Sequence, residues 1–211
     1  MGAFTTIEMA QFIADEFEPG WLVNLGTGMP TTILATEHDE SVRFHSENGV
    51  IGMDSVIEDV DEADPDIVSA GKHFISVQRG AAFIDHASSF SLLRSGRVNA
   101  AVLGAYQVSA RGDLANWRRP EAPYGGVGGA MDIASNVQRI YIMMRHATKD
   151  GQSKLVDQLT YPATAWRCVY KVVTDMAVIA VGADGFVVER LAPGLTLQDV
   201  QRVTGAPLRT A

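Results

Sequence analysis

Trp21-Leu22-Val23-Asn24-Leu25 runs without interruption into Gly26-Thr27-Gly28-Met29-Pro30, and this stretch decides the fold. The first five residues are β-prone and too few for a helix. The glycines that follow make a tight turn, and a helix is expected to start at Thr31 or Thr32. Strand, glycine turn and helix form the βα unit of an α/β fold.

Upstream, Thr5-Thr6-Ile7-Glu8 has capping-box spacing, with Ile7, Ala10, Ile13, Ala14 and Phe17 at helical intervals until Pro19-Gly20. Downstream, residues 42–45 read as a short strand ending at Ser46-Glu47-Asn48-Gly49. Residues 73–77, 100–108, 138–144 and 169–181 are further strand candidates, and Asp184-Gly185 before Phe186-Val187-Val188 reads as a hairpin. Residues 88–93 look helical and are closed by Gly96; a last helix runs from Thr196 to Thr204, stopped by Gly205 and Pro207. Apolar strands alternating with helices imply a mostly parallel sheet covered on both faces. No repeat or linker divides residues 1–211, so a single domain is expected. The longest irregular region, residues 110–132, is rich in Gly, Pro and Arg, and a loop of that length in a compact domain is usually functional or disordered.

The 211 residues suffice to bury roughly 70% of the unfolded surface without disulfides or metal. A formal charge of −8 argues against nucleic acid or an anionic membrane as partner. The acids Glu58, Asp59, Asp61, Glu62, Asp64 and Asp66 crowd into one stretch, read as a solvated loop. The single cysteine, Cys168, lies among apolar residues and reads as an inert thiol, which suits a reducing cytoplasm. No apolar run reaches the roughly 18 residues of a membrane span, and the N-terminal residues lack the pattern of a secretion signal.

Ligands of open α/β sheets bind beyond the carboxyl ends of the strands. Three segments fall at such ends: 24–30, 46–49, and the loop closing on Gly125-Gly126-Val127-Gly128-Gly129-Ala130-Met131-Asp132. Gly26-Thr27-Gly28 lacks the third glycine of a dinucleotide fingerprint; a tight turn explains it about as well as a bare backbone cradling an anion or thioester oxygen. Gly128-Gly129 is either a turn or a pair of amides exposed for an oxyanion. Glu47 taken alone would be a solvated carboxylate. Its neighbours suggest more: Ser46 and Asn48 can hold a carboxylate in one rotamer, and Gly49 leaves room for a large substrate. A carboxylate attacks only when positioned at short range opposite an oxyanion site, which is chemistry suited to activated acyl groups. His45 and His146 stand at strand ends and could line a cleft, while His38, His73 and His86 read as ordinary surface or core residues. No histidine spacing suits a metal, and no Gly-x-Ser-x-Gly elbow occurs.

Ser46-Glu47-Asn48-Gly49 with Gly52-Met53, residues 23–31, Ala70-Gly71-Lys72, Gly112-Asp113-Leu114-Ala115-Asn116-Trp117, Gly128-Gly129-Ala130-Met131-Asp132 and Leu191-Ala192-Pro193-Gly194 together resemble the β subunit of the family I CoA-transferases, over nearly the whole chain. The family often has Ile where Thr27 and Met29 stand. The resemblance implies a three-layer α/β sandwich in which Glu47 attacks an acyl-CoA and becomes a CoA thioester. It implies oxyanion donors at Gly128 and Gly129, and contacts to CoA or substrate at Asn24, Gly26, Gly28, Asn48 and Lys72, although Lys72 also suits a solvated surface. It further implies a separate α subunit, commonly in an α2β2 assembly, and no permanently bound cofactor, coenzyme A thioester being the substrate. Residues 143–156 with Thr160-Tyr161-Pro162 look most like the 3-oxoadipate branch, which uses succinyl-CoA. The acetoacetate branch usually has Pro-Gly-Lys after Asn-Trp, where this chain has Arg118-Arg119-Pro120-Glu121-Ala122-Pro123. Arg118, Arg119 or Arg145 could read a distal carboxylate. The rival readings are an acetoacetate-type 3-oxoacid CoA-transferase, a CoA-thioester hydrolase of the same superfamily with Glu47 as base, and a non-catalytic ligand-binding module.

Overall fold

The computed structural model describes residues 2–120 and 125–210. Helix α1 (Thr6–Ala14) leads into β1 (Leu22–Leu25), a 3-10 helix (Met29–Ala35), β2 (Arg43–Ser46), β3 (Val50–Val56) and β4 (Ile75–Phe83). Then come α2 (His86–Arg94), β5 (Ala100–Leu103), β6 (Gln107–Ser109), β7 (Leu114–Ala115), α3 (Ala130–Asn136), β8 (Arg139–Met143) and β9 (Leu155–Val156). The chain closes with β10 (Val169–Val173), β11 (Ala177–Gly182), β12 (Gly185–Leu191), α4 (Leu197–Gln201) and β13 (Leu208–Thr210).

Ten strands form one sheet in the order β13-β12-β11-β10-β8-β5-β1-β2-β3-β4. Its centre, β10-β8-β5-β1-β2, is entirely parallel, and antiparallel hairpins extend it on either side. The central strands are apolar on both faces because both are covered. Ala100, Val102, Tyr141 and Met143 face a core shared with Met9 and Ile13 of α1 and with Ile33. Ala101, Leu103, Ile140 and Ile142 face the opposite core, closed by Phe90 and Leu93 of α2, Ile133 of α3 and Val200 of α4. Each fully buried Val, Ile, Leu or Met among them contributes about 1.5–3 kcal/mol. The result is a three-layer α/β sandwich.

Several elements differ from the sequence expectation for local reasons. After Gly28 (φ +79°) the chain forms a 3-10 helix and not an α-helix. Thr31 and Thr36 turn their hydroxyls onto the carbonyls of Gly28 (2.6 Å) and Ile33 (2.7 Å), so side chains take over acceptors that an α-helix would use. The apolar run 100–108 divides at Gly104: β5 stays in the main sheet, while β6 joins β7 and β9 in a separate three-stranded sheet. The run 169–181 is a hairpin of β10 and β11, turned by Thr174, whose Oγ1 accepts from the amides of Met176 (3.2 Å) and Ala177 (3.0 Å). Within residues 110–132 lie β7 and the start of α3; Glu121, Ala122 and Pro123 of the Arg118–Pro123 segment lie outside the described residues. The acidic stretch is exposed at all six acids, and burial pushes the Cys168 thiol up to about 12, as an inert thiol requires. Among the described residues, no helix is long and apolar enough to cross a membrane.

Candidate active site

Glu47 begins the three-residue turn that joins β2 to β3, where Ser46 pairs with Val50. The turn is fixed at Gly49 (φ +114°), whose amide donates to Ser46 O (2.9 Å) and whose carbonyl accepts from Ile84 N (2.9 Å). A Cβ at Gly49 would stand 2.0 Å from Ile84 O, so no other residue fits.

A buried chain of polar groups anchors this turn from below. The Asn24 amide Nδ2 donates to His45 Nδ1 (3.0 Å), which leaves the ring proton on Nε2, facing Ser89 Oγ (3.0 Å); Ser89 Oγ in turn donates to Glu47 O (2.8 Å). Asn24, His45 and Ser89 are fully buried, and burial pulls the His45 imidazole down to about 4, so the ring is neutral near pH 7. His45 therefore lies beneath the site and does not line a cleft. Asn24, expected among the CoA or substrate contacts, is likewise inaccessible to a ligand in this chain, and its Oδ1 has no hydrogen-bond partner among the described residues. His146 does not line the cleft either: it is buried between Thr174 Oγ1 (2.9 Å) and Thr204 Oγ1 (2.8 Å), tying the strand ends to the segment after α4.

The Glu47 side chain is half-buried. Burial raises its carboxyl above the usual carboxylate range, against a smaller opposing pull from His86 at the start of α2. Against it lies Gly129: a Cβ there would come within 2.6 Å of Glu47 Oε2 and 2.7 Å of Phe90 Cζ. Gly129 and the left-handed Gly128 (φ +54°) lead into α3, which a bidentate Arg94–Asp132 pair (2.9 and 2.8 Å) holds to α2. Both charges are substantially exposed, so the pair contributes orientation more than stability.

These groups border one cleft of about 470 Å³ at the carboxyl ends of β1, β2, β5 and β8. The β1 end supplies Gly26, Thr27, Met29 and Pro30, and the α3 approach supplies residues 126–130. The Gly26 amide donates to Val102 O (2.8 Å), and a Cβ there would sit 2.9 Å from the same oxygen. Gly28 turns the chain but does not itself line the cleft.

Residues 6–202 match the family described as Coenzyme A transferase. The chain belongs to that family. Its relatives include one subunit of the 3-oxoadipate CoA-transferase of Pseudomonas putida, 43% identical over 202 residues (95% of this chain and 94% of that protein). One subunit of the succinyl-CoA:3-ketoacid coenzyme A transferase of Helicobacter pylori is 35% identical over 193 residues, 92% of this chain and 93% of that one. Among solved structures, an acyl-CoA transferase (YdiF) of Escherichia coli O157:H7 superposes with a TM-score of 0.77 at 17% identity, covering 100% of this chain and 42% of that longer chain. The decarboxylase AibA/AibB superposes with a TM-score of 0.70 at 20% identity, covering 98% of this chain and 86% of that one. At such identities these two likenesses show the fold alone.

The CoA-transferase chain places two further expected residues beside the Glu47 turn. Asn48 is exposed and its amide donates to Val68 O (2.8 Å), while Ser46 Oγ accepts from Ala70 N (2.8 Å). These bonds draw the 69–72 turn against both loops, with the Cβ position of Gly71 3.5 Å from Thr27 Cβ. Lys72 itself is exposed and adopts φ +63°, a conformation uncommon outside glycine.

Asn116 and Trp117 form one wall of the cleft, anchored to Gly104 O (3.2 Å) and Ala163 O (3.2 Å). Arg145 also lines the cleft and pairs with Asp175 at 3.3 Å, whereas Arg119 lies 5.3 Å over the Tyr106 ring at its edge. Lys154 carried no signal of its own in the sequence. It reaches the cleft from beyond β8; burial lowers its ammonium to about 8, with a weaker upward pull from Asp175. Among the described residues, no group of three or more His, Cys, Asp or Glu could hold a metal ion.

Proposed function

We propose that the chain is the glutamate-bearing subunit of a two-subunit CoA-transferase, moving CoA from succinyl-CoA to a 3-oxo acid, 3-oxoadipate above others, through a Glu47-CoA thioester. The observation that carries this reading is the placement of the Glu47 carboxylate: half-buried at a strand end, facing a large cleft, with bare glycine backbone against its oxygens.

In the donor half-reaction Glu47 attacks the thioester carbonyl, and collapse of the tetrahedral adduct expels CoA thiolate and leaves an acyl-glutamyl anhydride. The thiolate then attacks the glutamyl carbonyl. The bond between the glutamyl carbon and the bridging oxygen breaks, that oxygen leaves with the first acyl group as its carboxylate, and Glu47 carries CoA as a thioester. An acceptor carboxylate reverses these steps, so the cycle consumes no water and retains the thioester energy. Each tetrahedral oxygen would be held by the amides at Gly128 and Gly129. Burial makes Glu47 more basic than a surface carboxylate, which favours nucleophilic attack. The neutral Asn24-His45-Ser89 chain keeps its backbone in register without adding charge. Gly26, Gly28, Asn48 and Lys72 would form the side on which the CoA moiety lies.

The Pseudomonas putida and Helicobacter pylori relatives are each named as one subunit of their enzyme, which implies a second, separate chain. In this reading an α-type partner closes the open side of the cleft in an α2β2 assembly, and the enzyme works in the cytoplasm without a permanently bound cofactor. The choice of 3-oxoadipate follows the 43% identical Pseudomonas putida relative. The test is intact mass spectrometry of the complex incubated with succinyl-CoA and no acceptor. A CoA adduct on this chain, absent in Glu47→Ala, is the expected result; turnover without an adduct would overturn transfer in favour of hydrolysis.

A further inference from the structure

Lys154 is the one cation of the cleft whose placement suggests a task beyond holding the fold together. Its backbone is pinned on both sides, the amide donating to His146 O (3.2 Å) and the carbonyl accepting from Val108 N (2.9 Å), so the side chain springs from a fixed point. It stands, with Tyr106, on the wall shared by the Glu47 cleft and an adjoining cavity of about 720 Å³. That second cavity also carries Arg119 and Lys149. Among the described residues Lys154 has no carboxylate within ion-pairing distance, unlike Arg145, which Asp175 already engages.

We propose that Lys154 reads the distal carboxylate of a dicarboxylic acyl group whose reacting carbonyl lies at Glu47. This rests on the transferase reading above and names the residue that selects its substrate class. An unpaired ammonium withdrawn from water is costly, and a substrate anion offsets that cost where a neutral acyl chain cannot. Position supports the same role. In the strand order β8-β5-β1-β2, Glu47 stands at the β2 end of the cleft and Lys154 enters at the β8 end, where its amide donates to His146 O. An acyl chain whose thioester carbonyl lies at Glu47 and which runs along the cleft therefore extends toward Lys154. Arg119 and Lys149 line the adjoining cavity together with the carboxylate of Asp150, which leaves it one net positive charge besides Lys154.

The test uses the two-subunit complex and the first half-reaction with two four-carbon donors, succinyl-CoA and butyryl-CoA, which differ by one carboxylate. The readout is the ratio of their kcat/KM values for loading CoA onto Glu47. In Lys154→Gln the succinyl-to-butyryl ratio is expected to fall roughly 10- to 100-fold, the size of one lost charge-assisted hydrogen bond. Lys154→Arg, which keeps the charge, should recover most of the ratio. A ratio that stays at the wild-type value overturns the inference. So does an equal fall with both donors, which would mean that Lys154 serves the CoA moiety or the fold. A wild-type complex that loads from neither donor overturns the transferase reading itself, and this inference with it.

Discussion

Gly26 and Gly129 flank the same cleft and both forbid a side chain, but for different reasons. At Gly26 the obstacle is backbone: a Cβ would press on Val102 O at 2.9 Å and Leu103 Cδ2 at 3.0 Å, where β1 leaves the sheet beside β5. At Gly129 the first obstacle is the Glu47 carboxylate at 2.6 Å. One glycine is required by the sheet and the other by the reacting group. The same residue type thus marks a folding constraint on one wall and a chemical one on the other.

The sharpest way to break this contrast is Gly129→Ala. The added methyl must displace the Glu47 carboxylate or Phe90, and a shift of about 1 Å in a reacting group costs on the order of 10²-fold in rate. Loading of CoA onto Glu47 is therefore expected to fall at least about 100-fold, while the melting temperature changes little because the carboxylate is a movable side-chain end. Gly26→Ala should do the reverse. Overpacking against backbone costs about 1–3 kcal/mol, and each kcal/mol lowers the melting temperature by about 2–4 °C in a chain of this size. If both variants lost activity and stability in the same proportion, the distinction between the two glycines would fail. Thermal melts and single-turnover loading on the same preparations decide it.

How much of this was readable beforehand depends on whether a feature is local in sequence. The strand and glycine turn at residues 21–30, the strand before Glu47 and the closing helix were legible because composition and turn residues signal them directly, whereas the helix after that turn is 3-10 and not α. The Asp184-Gly185 hairpin was legible too, with Gly182 paired to Gly185. The divisions of 100–108 and 169–181 were not: apolar residues resume directly after each break, and only Gly104 in the first run and Thr174-Asp175 in the second punctuate them. His45 misled for a related reason. In a strand covered on both faces the usual in-out alternation disappears, so a buried histidine and a cleft histidine look alike. Phe44, His45 and Ser46 are all buried in succession. Lys154 was silent because 107 residues separate it from Glu47 and only the fold brings them to one cleft.

The buried histidines predict a moderate effect that extends the comparison from shape to charge. Burial lowers both His45 and His146 to about 4 from an ordinary value of 6.5. The unfolded chain therefore binds protons that the folded one refuses between these values. Stability is full above about pH 6.5 and is lost as pH falls toward 4. Melting temperature should decline across that window. A flat profile would mean that the rings gain compensating partners on protonation.

The smallest expected effect concerns Glu47 and has the opposite sign. Its folded-state carboxyl is raised by burial, so at neutral pH the ionised form destabilises the folded state relative to the unfolded chain. Glu47→Gln removes the charge and keeps the shape, and should raise the melting temperature of the complex by about 1–3 °C near pH 7. The gain should shrink as pH falls toward 4.5, the ordinary carboxyl value, because wild type then becomes neutral at this position as well. A variant that melts lower than wild type at neutral pH would mean that the ionised carboxylate is stabilised where it sits. The site would then be built to hold Glu47 and not to make it react, and the glycine facing it would have to be explained by packing alone.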